Sequence, residues 1–295
     1  MTRVKKISLG TTICAVIMIL IALVMIVPLL NILAKSISHP DMVSKLKGYN
    51  ILPKGFSMVN YQVIMNNPIV LRSIFNSLVV TVGGVAINII LTASAAYVLT
   101  RPNLVGKKLF MYFFIIMMIF EPGLVQEYLL MKDIHLLDNL LSMVLYKSVN
   151  VYYLIILMRF MEEVPISLVE AAGIDGAGHV KILFKIIIPL CKVPLLTVGM
   201  FYAVFRWNEF FKSSIFLTSK NNTVLQVLLR QFVVNSDSEV IVGAANILAN
   251  NHIAQLDNGS LKAATIVVAV IPILLLYPII LKYYTSGVLS GGVKE

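Results

Sequence analysis

Charged side chains are scarce in this sequence. Asp, Glu, Lys and Arg make up 13% of its 295 residues, whereas hydrophobic residues make up 59%. A soluble domain averages about 25% charged and roughly 45–50% apolar residues, so the composition excludes an ordinary soluble protein. A helix that crosses a bilayer needs roughly 20 apolar residues, and this chain is long enough for several. The sequence therefore predicts an integral membrane protein.

Cysteine, histidine and the motifs of metal chemistry are scarce as well. The two cysteines, Cys14 and Cys191, lie far apart without metal-ligand spacing, and we expect both to be unpaired. The four histidines are isolated from one another, and neither a His-Glu-x-x-His nor a Gly-x-Ser-Gly motif occurs. The pattern predicts no metal site and no cofactor bound by this chain, and it argues against an intramembrane hydrolase.

Long apolar runs are what the sequence has in abundance. The first follows Arg3, Lys5 and Lys6 and exceeds the roughly 7–15 apolar residues of a signal peptide, so we predict a retained helix. The third is the shortest, because Glu121 and Pro122 close it. Together the runs predict an all-α protein with six transmembrane helices. They cover residues 13–33, 75–99, 109–120, 140–158, 195–217 and 263–283.

Positive charge sets the predicted orientation. The formal net charge is +10, and the lysines and arginines cluster beside the apolar runs, which favours membrane orientation over nucleic-acid binding. Discounting the basic residues of two long segments, 35–72 and 218–262, places both termini in the cytoplasm. The predicted organisation is a cytoplasmic tail with the first helix at 1–34, an extracellular loop at 35–71, a core at 72–285 with a cytoplasmic loop at 162–193, and a cytoplasmic tail at 286–295.

One polar segment, EAAGIDGAGHVKILFKIIIP at residues 170–189, interrupts this pattern on the predicted cytoplasmic side. A phosphate-binding loop is rejected because His179 stands where that motif requires lysine. An amphipathic helix lying against the headgroups is a second interpretation, since apolar residues recur there at helical spacing. It does not explain the cluster of small residues, which lets another backbone approach closely. Gly173 and Gly176 are both candidates to end a helix in left-handed geometry.

The same segment resembles the EAA loop of ABC-importer membrane subunits. The residues that match its core are Glu170, Ala171, Ala172 and Gly173, and those that match its sugar-transporter extension are Asp175, Gly176, Ala177 and Pro189. In that family the loop forms a helix, a turn and a second helix, and docks into a cleft of the cytoplasmic ATPase. The resemblance implies that these residues couple the chain to an ATPase. The two alanines would favour helix, and Glu170 would pair with a partner cation or cap a backbone N–H.

The resemblance extends over most of the chain. NSLVVTVGG at 76–84, AYVLTRP at 96–102 and WNEFF at 207–211 are similar to signatures of the same subunits. The segment from residue 261 onward resembles the LplC-like branch of carbohydrate uptake transporter family 1, which has the MetI-like fold of type I importers. The C-terminal KYYTSGVLSGGVKE resembles the tail of the MalG type, which reaches toward the ATPase dimer in that subfamily. The residues of this chain that such a contact implies are Ser286, Gly287, Gly291 and Gly292.

This family would imply a permease subunit of an ATP-driven carbohydrate importer, carrying an oligosaccharide across the bacterial cytoplasmic membrane. Such a subunit is not an enzyme, because two cytoplasmic ATPase subunits hold the ATP and Mg²⁺. The other implied partners are a second homologous permease, an extracellular solute-binding protein and membrane lipid, without nucleic acid. The alternative is an ion-coupled secondary transporter, which needs intramembrane acids and inverted repeats. Only Glu121 and Glu209 qualify as such acids, and no internal repeat is visible.

Polar and aromatic residues at membrane depth are the candidates for the sugar path. A charge at a helix centre costs roughly 2.5–3.5 kcal/mol to insert, so it should face protein or water. The candidates are Asn76, Asn88, Tyr202, Arg206, Trp207, Asn208, Glu209 and Lys212. Two simpler interpretations stay open: Trp207 as an interfacial belt residue, and Arg206 with Glu209 as a self-satisfying i,i+3 pair. Arg206 and Lys212 together would suit an anionic glycan.

Overall fold

The computed structural model describes residues 9–235 and 257–291, with side chains described for 10–235 and 257–278. Within these residues the regular elements are helices. β-type pairing there is limited to an isolated antiparallel bridge between Ser38 and Phe56. The prediction of a mostly helical protein is therefore confirmed. The chain forms two compact units, Met1–Leu71 with Leu229–Ile271, and Arg72–Leu228 with Pro272–Glu295.

The first unit begins with α1, Leu9–Ser36, whose most apolar stretch has none of its residues buried. Two short helices follow within the predicted extracellular loop, α2 at Pro40–Val43 and α3 at Val59–Met65. The loop folds back on the end of α1, because Asn31 donates hydrogen bonds to the carbonyl oxygens of Lys47 at 2.9 Å and Asn50 at 2.6 Å. The predicted extracellular loop is thus an ordered segment attached to the first helix.

The other helices lie mostly in the second unit. Those before the polar segment are α4 Pro68–Leu99, α5 Lys107–Ile119, α6 Leu124–Asp133, α7 Leu140–Leu145 and α8 Val151–Glu162. Those in and around it are α9 Ile166–Ile174, α10 His179–Ile182, a π-helix Leu183–Ile187 and α11 Ile188–Leu190. Those after it are α12 Lys192–Asn208, α13 Phe211–Phe216, α14 Leu225–Val233 and α15 Asn258–Gly291.

Three of the described helices are long and apolar enough to cross a membrane. They are Gly10–Ser36, Pro68–Leu99 and Asn258–Pro278. Two bent pairs also qualify if each is counted as one span, and these are Lys107–Ile119 with Leu124–Asp133, bent by 114°, and His179–Leu190 with Lys192–Asn208, bent by 87°. The described residues thus hold three to five candidate spans. The count of six spans and the cytoplasmic position of both termini stay predictions.

The apolar run at 140–158 is two helices rather than the single one that the sequence predicted. The first, α7, ends at Leu145, and Lys147 takes a left-handed φ of 45°. Asn150 then begins α8, because its side chain accepts hydrogen bonds from the backbone N–H groups of Tyr152 at 2.9 Å and Tyr153 at 3.3 Å. A capping side chain of this kind starts a new helix, and hydropathy does not register it.

The run at 195–217 is divided in the same way. Helix α12 ends at Asn208, Glu209 has an extended backbone, and α13 begins at Phe211. The Glu209 carboxylate accepts a hydrogen bond of 2.7 Å from the Lys212 backbone N–H, which satisfies one of the unpaired donors at the start of α13. The third predicted run, in contrast, ends at Ile119, within one residue of its predicted end.

Two buried clusters hold the second unit together. The first packs the second half of α4 and α8 against the π-helix and the start of α12, with Tyr97, Leu157 and Ile187 among its members. The second packs the first half of α4 and α7 against α13, and it includes Tyr146 and Phe216. The first cluster therefore supports the polar segment, and the second supports the helix breaks around α6, α7 and α13.

Candidate functional site

The polar segment folds as a helix, a turn and a second helix, from α9 to α11. Asp175 is the C-cap of α9, and Gly176 follows it with a φ of 78°. The Gly176 N–H donates to the Gly173 carbonyl at 3.0 Å, and the Ala177 N–H donates to the Ala172 carbonyl at 2.9 Å. These paired bonds form a Schellman motif. Gly176 is therefore the glycine that ends the helix, whereas Gly173, which we expected to be equally able to do so, lies inside α9.

Three large apolar side chains of this segment are exposed, among charged and polar neighbours. Ile174 is 87% exposed, Val180 72% and Phe184 54%, although burial is favourable by about 25 cal/mol per Å² of apolar area. A Cβ added to Gly173 would meet nothing within 4 Å, so packing within the chain does not require glycine there. We call these four residues, Gly173, Ile174, Val180 and Phe184, the loop surface. It is open to a partner of apolar character.

The residues that match the EAA motif divide between this open side and the protein's own core. The exposed ones are Glu170, Ala171, Gly173, Asp175, Gly176 and Pro189. The partly buried ones are Ala172 and Ala177, which pack against the first buried cluster. The two inward alanines thereby attach the helix and the turn to the core. The remaining matched residues are left accessible, as a docking site requires.

The end of α4 anchors the second helix of the segment. Tyr97 Oη lies 3.1 Å from His179 Nδ1, and Arg101 Cζ lies 4.4 Å from the Tyr97 ring centroid. A pocket of about 530 Å³ opens beside these residues, with Glu170 and Ile166 on its other walls. The exposed Glu170 carboxylate therefore lines this pocket together with Arg101 and His179.

The candidate path residues are mostly buried, and Arg206 is at their centre. It is 3% exposed, its Nη2 donates to Asn88 Oδ1 at 2.8 Å, and its Nη1 donates to the backbone carbonyl of Met143. The guanidinium thereby joins α12 to α4 and α7. Glu209, its expected i,i+3 partner, accepts instead from the Lys212 backbone. A cation with neutral acceptors in the core keeps a positive potential at that place.

Glycine at position 84 makes room for this arginine. A Cβ added to Gly84 would lie 2.7 Å from Arg206 Nε, which is closer than real Cβ contacts allow. Within the described residues, Arg206 Nε and Asn88 Nδ2 are buried without a hydrogen-bond partner. We call Gly84, Asn88, Met143 and Arg206 the arginine cluster. The cluster is closely packed, and two of its N–H donors, at Arg206 Nε and Asn88 Nδ2, have no acceptor among the described residues.

Tyr202 and Asn76 also bond within the chain. Tyr202 Oη lies 2.9 Å from Thr92 Oγ1 and accepts a hydrogen bond of 2.9 Å from the Asn150 backbone N–H. Asn76 donates to two backbone carbonyls of the segment 219–224, at 2.9 and 3.0 Å. Tyr202 therefore ties α12 to α4 and to the start of α8, and Asn76 ties the segment after α13 to α4.

The other candidates differ in exposure. Trp207 is 3% exposed, so it does not face lipid as a belt residue would, whereas Asn208 is exposed. Lys212 forms an ion pair with Glu127 of α6, and the two side chains are 15% and 13% exposed. Among the predicted path residues, Asn208, Glu209 and Lys212 are thus the ones that reach the surface of this chain.

The predicted C-terminal contact falls at the end of α15. Ser286, Gly287 and Gly291 lie in that helix, and Gly292 lies outside the described residues. The helix therefore continues through the first part of the segment 286–295 that the sequence assigned to a tail. Contact between these residues and an ATPase stays a prediction. The two cysteines, in contrast, confirm their prediction, since Cys14 and Cys191 are both free thiols.

Several residues that build these sites were missed by sequence reasoning. Glu127 was missed because the segment 124–133 was not predicted to be a helix, and an acid between apolar positions there was the available signal. Asn150, directly before Val-Tyr-Tyr, has the pattern of an N-cap. The Tyr97–His179 contact joins residues far apart in the chain, and no local sequence pattern predicts it. The Met143 carbonyl carries no residue-type signal at all.

Comparison with known proteins places this geometry in context. A model for the family described as "binding-protein-dependent transport system inner membrane component" matches residues 88–290. The polygalacturonan/rhamnogalacturonan transport system permease protein YtcP of Bacillus subtilis (strain 168) is 33% identical over 283 residues, which are 94% of this chain and 95% of YtcP. Protein LplC of the same organism is 33% identical over 269 residues, which are 91% and 89% of the two chains.

A solved structure is similar over nearly the whole length. It is the crystal structure of a bacterial ABC transporter involved in the import of the acidic polysaccharide alginate, and its matching chain has a TM-score of 0.85. The match covers 96% of this chain and 99% of that chain, at 28% sequence identity. The two chains therefore share the same overall architecture.

Proposed function

We propose a mechanism from the premise that this chain belongs to the binding-protein-dependent transport system inner membrane components and is a permease subunit of a carbohydrate ABC importer. It has the MetI-like permease fold of these importers. The family is one of transport permeases rather than enzymes, and it decides against the ion-coupled secondary transporter. The questions that follow are how this subunit receives energy from ATP and what it carries.

The exposed loop surface carries the proposal for energy coupling. Its apolar side chains are exposed and do not pack in the chain's own core. Gly173 leaves open space in which another backbone can come close. We propose that this surface docks into a cytoplasmic ATPase subunit, while Glu170 binds a cation of that partner. Helix α9 is anchored to the core through Ala172, and α10 is held through His179, so movement of the ATPase would be passed on to α4 and α8.

The other subunits of the transporter follow from the same proposal. Two ATPase subunits hold ATP and Mg²⁺, a second homologous permease completes the pore, and an extracellular binding protein delivers the sugar. The loop surface then faces the cytoplasm of a bacterium, and the chain crosses the cytoplasmic membrane six times with both termini inside. The tail residues Ser286, Gly287, Gly291 and Gly292 are a second proposed contact with the ATPase pair.

Substitutions at the loop surface test the coupling. In the assembled transporter we expect Glu170→Lys and Gly173→Leu to leave membrane insertion intact and to lower sugar-stimulated ATP hydrolysis and uptake at least tenfold, equivalent to about 1.4 kcal/mol. Gly48→Leu is a matched control, because a Cβ at Gly48 also meets nothing within 4 Å. Normal uptake by the Gly173→Leu transporter would refute the docking role.

The cargo that we propose is an acidic oligosaccharide. Polygalacturonan and alginate are polymers of uronic acids, whose carboxylates are negatively charged near neutral pH, and the two relatives named for them align with almost all of this chain. Of the predicted path residues, Asn208, Glu209 and Lys212 are the ones proposed to line the path, because they reach the surface. The buried group, Asn76, Asn88, Tyr202, Arg206 and Trp207, is proposed to position the helices around it.

A pair of sugars of equal length tests the cargo. The wild-type transporter, reconstituted with its ATPase and binding protein, is offered a galacturonate trisaccharide and the corresponding neutral galactose trisaccharide. We expect the acidic sugar to have the lower KM for uptake. A lower KM for the neutral sugar would contradict the proposed cargo and would leave the coupling proposal untouched.

A further inference from the structure

One largely buried ion pair lies where two interrupted helices meet. Glu127 belongs to α6, which follows α5 after a bend of 114°, and Lys212 belongs to α13, which begins just after α12 ends. Lys212 Nζ and Glu127 Oε2 are in contact. In secondary transporters, substrate and ion sites lie at the broken ends of discontinuous helices. The pair in this importer subunit has a comparable position, beside the breaks of two helices.

The surroundings of the pair favour a charged partner for Lys212. Its Nζ lies 6.0 Å from the Tyr146 ring centroid and 5.9 Å from that of Phe211, so aromatic faces shield it from water without neutralising it. The pair is 15% and 13% exposed, and an ion pair removed from water in this way adds little net stability. Stability alone therefore gives a weak reason for its presence, whereas binding of an anion gives a direct one.

We propose that Glu127 pairs with Lys212 when no sugar is bound, and that a carboxylate of the acidic sugar takes the place of Glu127 on Lys212 during transport. This inference rests on the acidic cargo proposed above. A uronate carboxylate has the same charge and geometry as the Glu127 side chain, so the exchange preserves the ion pair of Lys212. Phe211, which is 50% exposed, offers an adjacent apolar face to the C–H side of a sugar ring. Arg206 has no part in the exchange, because it is buried.

The experiment compares charge variants in the reconstituted transporter, with the acidic and neutral trisaccharides as probes. We expect Lys212→Gln to raise the KM for the acidic sugar by at least about tenfold, the low end of the effect of removing one partner of a close charge pair, and to leave the neutral sugar unchanged. Glu127→Gln, which removes the competing carboxylate, should lower the KM for the acidic sugar. Glu121→Gln is the control, because Glu121 forms an exposed ion pair with Lys147 at 3.0 Å.

A charge exchange separates recognition from folding. The double variant Glu127→Lys/Lys212→Glu keeps an ion pair between α6 and α13, so it should fold and transport the neutral sugar, but it should take up the acidic sugar poorly. Equal transport of the acidic sugar by this variant and the wild type would overturn the inference, as would parallel changes in KM for both sugars in the single variants. If the wild type itself prefers the neutral sugar, the proposed cargo fails and this inference fails with it.

Discussion

The loop surface and the arginine cluster both interrupt apolar sequence with small and polar residues, and the structure treats them in opposite ways. At the loop surface, Ile174 is exposed and Gly173 has open space around it. In the arginine cluster, Arg206 is buried, bonded to Asn88 and packed against Gly84. Residues that we propose to serve another protein are left open in the single chain, whereas residues that serve the fold find their partners within it.

This difference has a consequence for mutagenesis. A substitution in the arginine cluster should lower the stability of the isolated subunit, and any loss of transport should follow from that. A substitution at the loop surface should not lower stability, and any loss of transport should arise only when the ATPase is present. The predictions below test whether the two regions can be separated in this way.

Removing the cation from the arginine cluster should have the largest effect on stability. Arg206→Met keeps most of the side-chain volume but leaves Asn88 Oδ1 and the Met143 carbonyl without their donor. A buried polar group left unpaired costs about 1–3 kcal/mol, and we expect the free energy of unfolding to fall by an amount of that order. Denaturant unfolding of the purified subunit in detergent measures the change.

A double variant shows whether the loss comes from the bond to Asn88. Asn88→Leu combined with Arg206→Met removes donor and acceptor together, so its cost should be smaller than the sum of the single costs, by about 0.5–3 kcal/mol for residues in contact. Strictly additive costs would mean that the two side chains do not stabilise each other, and the role assigned to the arginine cluster in the fold would be wrong.

The two glycines of the polar segment should respond in opposite directions to alanine. Gly176 has a φ of 78°, where a Cβ costs about 1–2 kcal/mol, so Gly176→Ala should destabilise the subunit. Gly173 lies inside α9 with free space around it, so Gly173→Ala should stabilise the subunit by about 0.5–1 kcal/mol. Thermal unfolding of the two variants side by side measures both effects. A larger loss for Gly173→Ala than for Gly176→Ala would show that Gly173 is needed by the fold.

Sequence alone predicted one of these regions much better than the other. The helix-ending turn of the polar segment follows from EAAGIDGA, because small residues and a helix-ending glycine at short spacing are local information, whereas the exposed Ile174, Val180 and Phe184 were not predicted. The arginine cluster joins Arg206 to Asn88 across 118 positions and uses a backbone carbonyl of α7, so no local pattern contains it. The breaks after α7 and α12 were missed for a related reason, since each depends on one capping side chain within an apolar run.

A third region, partly exposed yet hydrogen-bonded within the chain, should show the smallest effect. Asp138, between α6 and α7, accepts hydrogen bonds from the backbone N–H groups of Ser219 at 2.9 Å and Thr218 at 3.1 Å. The Ser219 bond is the main reason that the pKa of Asp138 lies below its ordinary value of 3.8. The ionised carboxylate therefore contributes stability above that pH, and the contribution is lost as the pH falls through the lower folded-state pKa.

The pH dependence of Asp138→Asn measures this contribution. Asparagine tolerates the left-handed φ of 55° at this position, so the substitution removes the charge without straining the backbone. We expect the wild type to be more stable than the variant at neutral pH, and the difference to shrink below about pH 4. A difference in the free energy of unfolding that stays constant with pH would show that the carboxylate charge is not what matters.

The position of Ile174 in the working transporter tests the central claim most directly. A photo-crosslinking amino acid replaces Ile174, which is 87% exposed, and in a parallel sample replaces Leu52, which is 74% exposed in the predicted extracellular loop. After illumination of the assembled transporter in membranes, we expect the 174 sample to yield a covalent adduct with the ATPase subunit and the 52 sample to yield none. An adduct with the ATPase from position 52, or its absence from position 174, would contradict the account.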